Sequence, residues 1–212
     1  MKHRLLWFLS LGIPLGLIAV RMMVTHSWTY AFYYWNLILA LIPLLASTRL
    51  RASESIFSLR NLGSLGVWFL FLPNAPYIIT DMIHFEARPP VPVYLDEVIV
   101  YASAWNGVLL AYASVLNVER WLLLRYASRP VNVLLLSVFL LCGLGIYLGR
   151  FSRWNSWDVF FHPVALFRDV SKRVIFPFRY KQTWVVSFLF GGVLAAGYRV
   201  LSRGFSWSPA GR

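Results

Sequence analysis

Six apolar stretches, each bounded by charged or polar residues, dominate the chain: 5–24, 30–46, 62–80, 97–118, 131–149 and 183–201. A membrane-crossing helix needs about 20 mostly apolar residues, so the pattern predicts an all-α, polytopic transmembrane helix bundle of about six spans. The second stretch is short, and the third is broken near its end by Pro73 and Pro76. The first stretch resembles a signal peptide, but Ile18-Ala19-Val20-Arg21 is no small-x-small cleavage site, so it reads as an uncleaved span. Short connections make spans one and two, and four and five, antiparallel neighbours. Small residues four apart (Gly12 and Gly16, Gly145 and Gly149, Gly192 and Ala196) are expected to let helix backbones approach closely. Between the fifth and sixth stretches, 158–178 mixes aromatic and basic positions, with capping-box spacing of Asn155 and Asp158 and Pro163 placed for a first helical turn. That segment predicts an interfacial amphipathic helix near 163–175. There is no repeat and no separate soluble domain, so residues 1–212 read as one integral-membrane domain.

Composition agrees. The 212 residues are 59% hydrophobic and 13% charged, against roughly 25% charged in soluble domains. The one cysteine, Cys142, lies in an apolar run, which excludes an intramolecular disulfide and a thiolate metal site. The net charge of +12 flanks the apolar stretches, where it orients helices and meets lipid phosphates. No nucleic-acid-binding module accompanies it. The expected partners are membrane lipids, with room for protein partners inside the membrane. With six spans, one side carries 11 of the Lys and Arg residues, and the other carries Arg21, Arg88 and seven in the last loop. Leaving that loop aside the ratio is 11 to 2, which places both termini in the cytoplasm of a cell inner membrane. A five-span alternative, in which the proline-broken stretch re-enters, gives 13 to 7; six is preferred.

In either topology the loops after the third and fifth stretches share a side. They hold six of the eight acids, together with His84, His162, Arg150 and Arg153. Pro73 and Pro76 cannot donate to the carbonyls of Phe69 and Leu72, and Leu72 and Ala75 are expected to turn extended. The helix should kink or unwind there, with the Asn74 amide free to satisfy a freed carbonyl. Asp81 and His84 are three apart, Asp158 and His162 four apart, so each pair shares a face on a helical turn. Such pairs could ligate a divalent metal or form a salt-bridge network with the arginines. The network is preferred, with Asp81–Arg150 as the first pair and Arg153–Asp158 as the second; no metal or cofactor is assigned. Arg150 and Arg153 beside Trp154 and Trp157 also suit a lipid phosphate or another anion. The candidate binding set is Asn74, Asp81, His84, Arg150, Arg153, Asn155, Trp157 and Asp158. Asn36, Ser103 and Asn106 are expected to hydrogen-bond between helices. No nucleophile-elbow, phosphate-loop, dinucleotide or zinc-protease motif is present.

Three segments together, Tyr34-Trp-Asn-Leu-Ile-Leu-Ala-Leu-Ile-Pro43, Phe71-Leu-Pro-Asn-Ala-Pro-Tyr-Ile-Ile-Thr-Asp81 and Tyr147-Leu-Gly-Arg-Phe-Ser-Arg-Trp-Asn-Ser-Trp-Asp158, resemble the bacterial membrane family catalogued as domain of unknown function 1361. The resemblance implies a multi-pass membrane protein and carries no activity. Three readings of the polar set follow. It binds a polar or anionic headgroup or small ligand. It is a membrane-embedded enzyme site with Asp81 or His84 as general base, which needs an open, watered pocket. Or it belongs to a structural or assembly subunit, which needs a closed polar cluster and an aromatic outer face.

Overall fold

The structure, a computed structural model, describes residues 2–84 and 91–204. Every regular element among them is helical: α1 (Lys2–Thr25), α2 (Phe32–Ser47), α3 (Leu59–Phe71), α4 (Asn74–Tyr77), a 3-10 helix η1 (Ile78–His84), α5 (Val93–Leu123), α6 (Ser128–Phe151), α7 (Asp158–Phe161), α8 (Pro163–Ile175) and α9 (Lys181–Gly204). Four helical stretches are long and apolar enough to cross a membrane: Leu59–Met82, Val93–Leu123, Ser128–Phe151 and Lys181–Ser202. Two shorter apolar helices, Ser10–Thr25 and Phe32–Ser47, precede them. Glu86 and Arg88 lie outside the described residues.

The chain forms two compact units, Met1–Leu50 with Ser55–Ser114, and Arg51–Glu54 with Val115–Arg212. In the first, Ile18 of α1, Tyr33 and Leu37 of α2, Ile78 of η1 and Ile99, Val100 and Ala104 of α5 form one buried cluster with Tyr30. Hydrocarbon solvates leucine as well as another helix does, so close packing and hydrogen bonds must hold such helices together. Proline makes one of those bonds necessary. Pro14 has no N–H for the carbonyl of Ser10, and the Asn106 amide of α5 donates to that carbonyl at 3.0 Å. Ser10 Oγ in turn donates to Asn106 Oδ1 at 2.7 Å. The hydrogen bonding between helices expected of Asn106 is present. Ser103, one turn away, is buried and its hydroxyl has no hydrogen-bond partner among the described residues.

In the second unit α6 packs along α9, and glycine sets the distance. A Cβ on Gly143 would lie 2.1 Å from the Ser187 carbonyl oxygen, and one on Gly191 would lie 2.7 Å from that of Phe139. Gly12, Gly16 and Gly192, expected to serve this purpose, have no atoms within 4 Å of where a Cβ would stand. A four-residue repeat of small residues does not say which face of a helix meets a neighbour, and Gly143 and Gly191 are the positions that do. Tyr198 of α9 donates its hydroxyl to the Glu119 carboxylate of α5. Arg125 holds the 51–54 loop through the carbonyls of Ala52 (2.5 Å) and Glu54 (2.8 Å) and lies over the Trp121 ring.

Candidate functional site

The proline-broken segment stays helical, which corrects the expectation of extended backbone. Leu72 has φ −52° and ψ −42°, and Pro73 leads directly into α4. One of the two freed carbonyls, that of Leu72, finds a local donor instead. Ala75 N–H donates to Leu72 O at 3.2 Å in place of the missing Pro76 donor. The Asn74 amide donates to Phe71 O at 3.1 Å, the carbonyl that the Ala75 N–H leaves, and not to either carbonyl the prolines free. With those bonds made, the helix tightens into η1 and does not unwind. The segment is also gripped from α5: a Cβ on Gly107 would lie 2.1 Å from the Ala75 carbonyl oxygen. Asp81 is half-buried on η1, and His84 ends the same element one 3-10 turn later. The His84 side chain lies outside the described atoms.

The strongest electrostatic feature of the first unit is one that sequence reasoning missed. Arg21, in the last turns of α1, and Asp96, in the first turn of α5, form a buried, two-pronged ion pair: Nε to Oδ1 at 2.6 Å and Nη2 to Oδ2 at 3.2 Å. Their side chains are 5% and 0% exposed. The Tyr30 ring lies 5.1 Å from the guanidinium carbon, adding a cation–π contact. Both residues were assigned to the same membrane side from charge counting, which was the available signal.

In the second unit the end of α6 turns sharply. Arg153 takes a left-handed backbone, φ 59°, and the Trp154 N–H reaches back to Leu148 O at 3.1 Å. Asp158 Oδ2 accepts the Asn155 backbone N–H at 2.7 Å, the reciprocal bond its capping-box spacing predicted. Its carboxylate is committed there. Among the described residues Arg153 is exposed and does not pair with Asp158, which corrects the second expected ion pair; the Asp158 carboxylate caps Asn155 instead. Nor do Asp158 and His162 share one continuous helix, since His162 (φ −134°) separates α7 from α8. Arg150 is half-buried in the last turn of α6, and Trp157 half-buried before α7. Asp81 belongs to the first unit and Arg150 to the second, so their pairing stays an expectation drawn from sequence. Among the described residues no three of His, Cys, Asp or Glu are grouped to hold a metal.

Here too the central residue was not foreseen. Arg173 of α8 is 8% exposed. It donates to the Asp169 carboxylate and, at 2.9 Å, to Ser152 Oγ. It lies over the rings of Tyr147 (5.6 Å) and Tyr180 (5.1 Å). Trp154 Nε1 donates to the other Asp169 oxygen at 2.8 Å, and Trp184 Nε1 to Arg173 O at 3.2 Å. This network holds Arg173 inside and Asp169 half-buried, and leaves the buried Arg173 Nε without a hydrogen bond among the described residues. The outward side of the same segment carries Phe160, Phe161, Val164, Phe167 and Phe178, exposed at 71, 73, 71, 74 and 93%. Arg168 and Lys172, one turn apart and exposed, form the adjoining arc.

The family described as "protein of unknown function (DUF1361)" matches residues 35–196. The chain belongs to that family. The DUF1361 match takes in the proline-broken segment, the capped turn and α8, and leaves α1 outside. No curated protein and no solved structure matches the chain.

Proposed function

We propose that this protein is a six-span inner-membrane protein that binds anionic lipid headgroups at its non-cytoplasmic face, through the segment from the end of α6 to α8. The observation that carries the reading is α8 with its flanks: Arg173 is buried against Asp169, while exposed apolar residues, Phe160, Phe161, Val164 and Phe167 among them, lie beside the exposed Arg168 and Lys172. In water such a face would be costly. At the boundary of headgroups and acyl chains the aromatic arc enters the hydrocarbon, and Arg168, Lys172 and Arg153 reach phosphate. This also explains why a loop with seven basic residues lies on the side that otherwise carries little positive charge. The Arg21–Asp96 pair supports six spans over five. Six spans bring the end of the first and the start of the fourth to one side; five spans separate them.

A second reading draws on the same observation. A polar cluster under an exposed aromatic face also suits an assembly subunit whose partner covers that face. The basic arc favours lipid. The two are separated by native mass spectrometry of protein released from nanodiscs containing equal zwitterionic and anionic lipid. Retained anionic lipid, lost in Arg168→Gln/Lys172→Gln, supports headgroup binding. Equal retention of both lipids by the unsubstituted protein contradicts it.

A further inference from the structure

A groove of about 410 Å³ in the first unit is lined by Ala19, Met22, Met23, His26, Ser27, Trp28 and Tyr34. Two of the four methionines in the chain stand here at consecutive positions near the end of α1, Met22 half-buried and Met23 71% exposed, and His26 follows directly after the helix. Lys, Arg, Asp and Glu are absent from the lining. His26 holds a left-handed backbone, φ 48°, at the helix end where glycine or asparagine is usual. A left-handed backbone is unfavourable for a residue that carries a Cβ, and the His26 ring makes no hydrogen bond among the described residues to offset it. Strain retained at a ligand-competent side chain points to function.

We propose that Met22, Met23 and His26 form a site for a soft monovalent metal ion, of the Cu(I) or Ag(I) class, with the Trp28 indole beside it. Thioethers are soft donors and select Cu(I) over hard cations, and imidazole suits copper as well. Two thioethers and one imidazole make a low-coordinate, uncharged donor set, which matches a monovalent ion. It matches Mg²⁺ or Ca²⁺ poorly, since these require oxygen ligands. The indole face supplies a cation–π contact. Binding is ligand exchange only; the ion enters and leaves as Cu(I).

The test is anaerobic titration of the tag-free, detergent-purified protein with Cu(I) against a chromophoric Cu(I) chelator, with Ag(I) as a redox-inert second probe. The unsubstituted protein is expected to withdraw one equivalent per chain. Met22→Leu/Met23→Leu and His26→Asn, the latter chosen because asparagine tolerates the left-handed backbone, should each weaken binding at least tenfold, and Met82→Leu should not. Failure of the unsubstituted protein to compete overturns the proposal. So does full binding by both groove variants, loss of the equivalent in Cys142→Ala, or a preference for Zn²⁺ over Ag(I). None of these outcomes depends on which lipids the protein retains.

Discussion

Two charged side chains set the residue scale. Arg21 and Asp96 are stable in the interior only together. Asp96→Asn strands the guanidinium and should lower stability by about 3–5 kcal/mol. Arg21→Met/Asp96→Leu should recover most of that loss, as read by thermal unfolding in detergent; equal loss in the single and double variants would show that the pair is not coupled. A second pair of residues is linked through a carbonyl. Asn106→Leu should cost about 1–3 kcal/mol by orphaning Ser10 O. In a Pro14→Ala background the new N–H satisfies that carbonyl, so the cost should shrink; an additive cycle would contradict the role given to Asn106. The sequence made Asn74 and Asn106 legible as polar groups with a task, Asn74 because it stands between two prolines and Asn106 because it is an amide inside an apolar span. It did not reveal Arg21–Asp96, since partners 75 residues apart are chosen by helix rotation, which charge counting does not contain.

At the scale of elements, three helices depend on positions with no side chain. Gly143→Ala, Gly191→Ala and Gly107→Ala each drive a methyl group into backbone, the first two between α6 and α9 and the third against Ala75. Each should lower stability by about 1–3 kcal/mol through overpacking, whereas Gly192→Ala should change it little. Comparable unfolding temperatures for Gly143→Ala and Gly192→Ala would refute the packing described. The helical stretches themselves were legible from apolar length, and α8 from its proline and the capping box before it. Which way α8 faces was not: an interfacial amphipathic helix was expected to give all its charges to headgroups, yet Arg173 is buried against Asp169, Ser152, Tyr147 and Tyr180, and Trp154 hydrogen-bonds to Asp169. Local rules also misjudged Leu72, which keeps helical angles before Pro73 while its own carbonyl accepts the Ala75 N–H.

At the scale of the molecule, orientation and interface are one question. With Cys142 buried, single cysteines report cleanly. In intact cells an impermeant thiol reagent should label Lys172→Cys from outside and leave Arg51→Cys unlabelled; the reverse pattern would invert the protein. The charge distribution predicts this topology up to the last loop, whose basic residues fit the proposed orientation when lipid is counted as a partner. Spin labels at Phe167→Cys and Arg168→Cys in protein reconstituted into anionic bilayers test the lipid reading most directly. Collisions with oxygen should dominate at 167 and collisions with a water-soluble nickel chelate at 168, placing 167 about 5–10 Å into the headgroup and acyl boundary. Equal access of the chelate to both labels, or exclusion of both reagents from 167, would contradict the account.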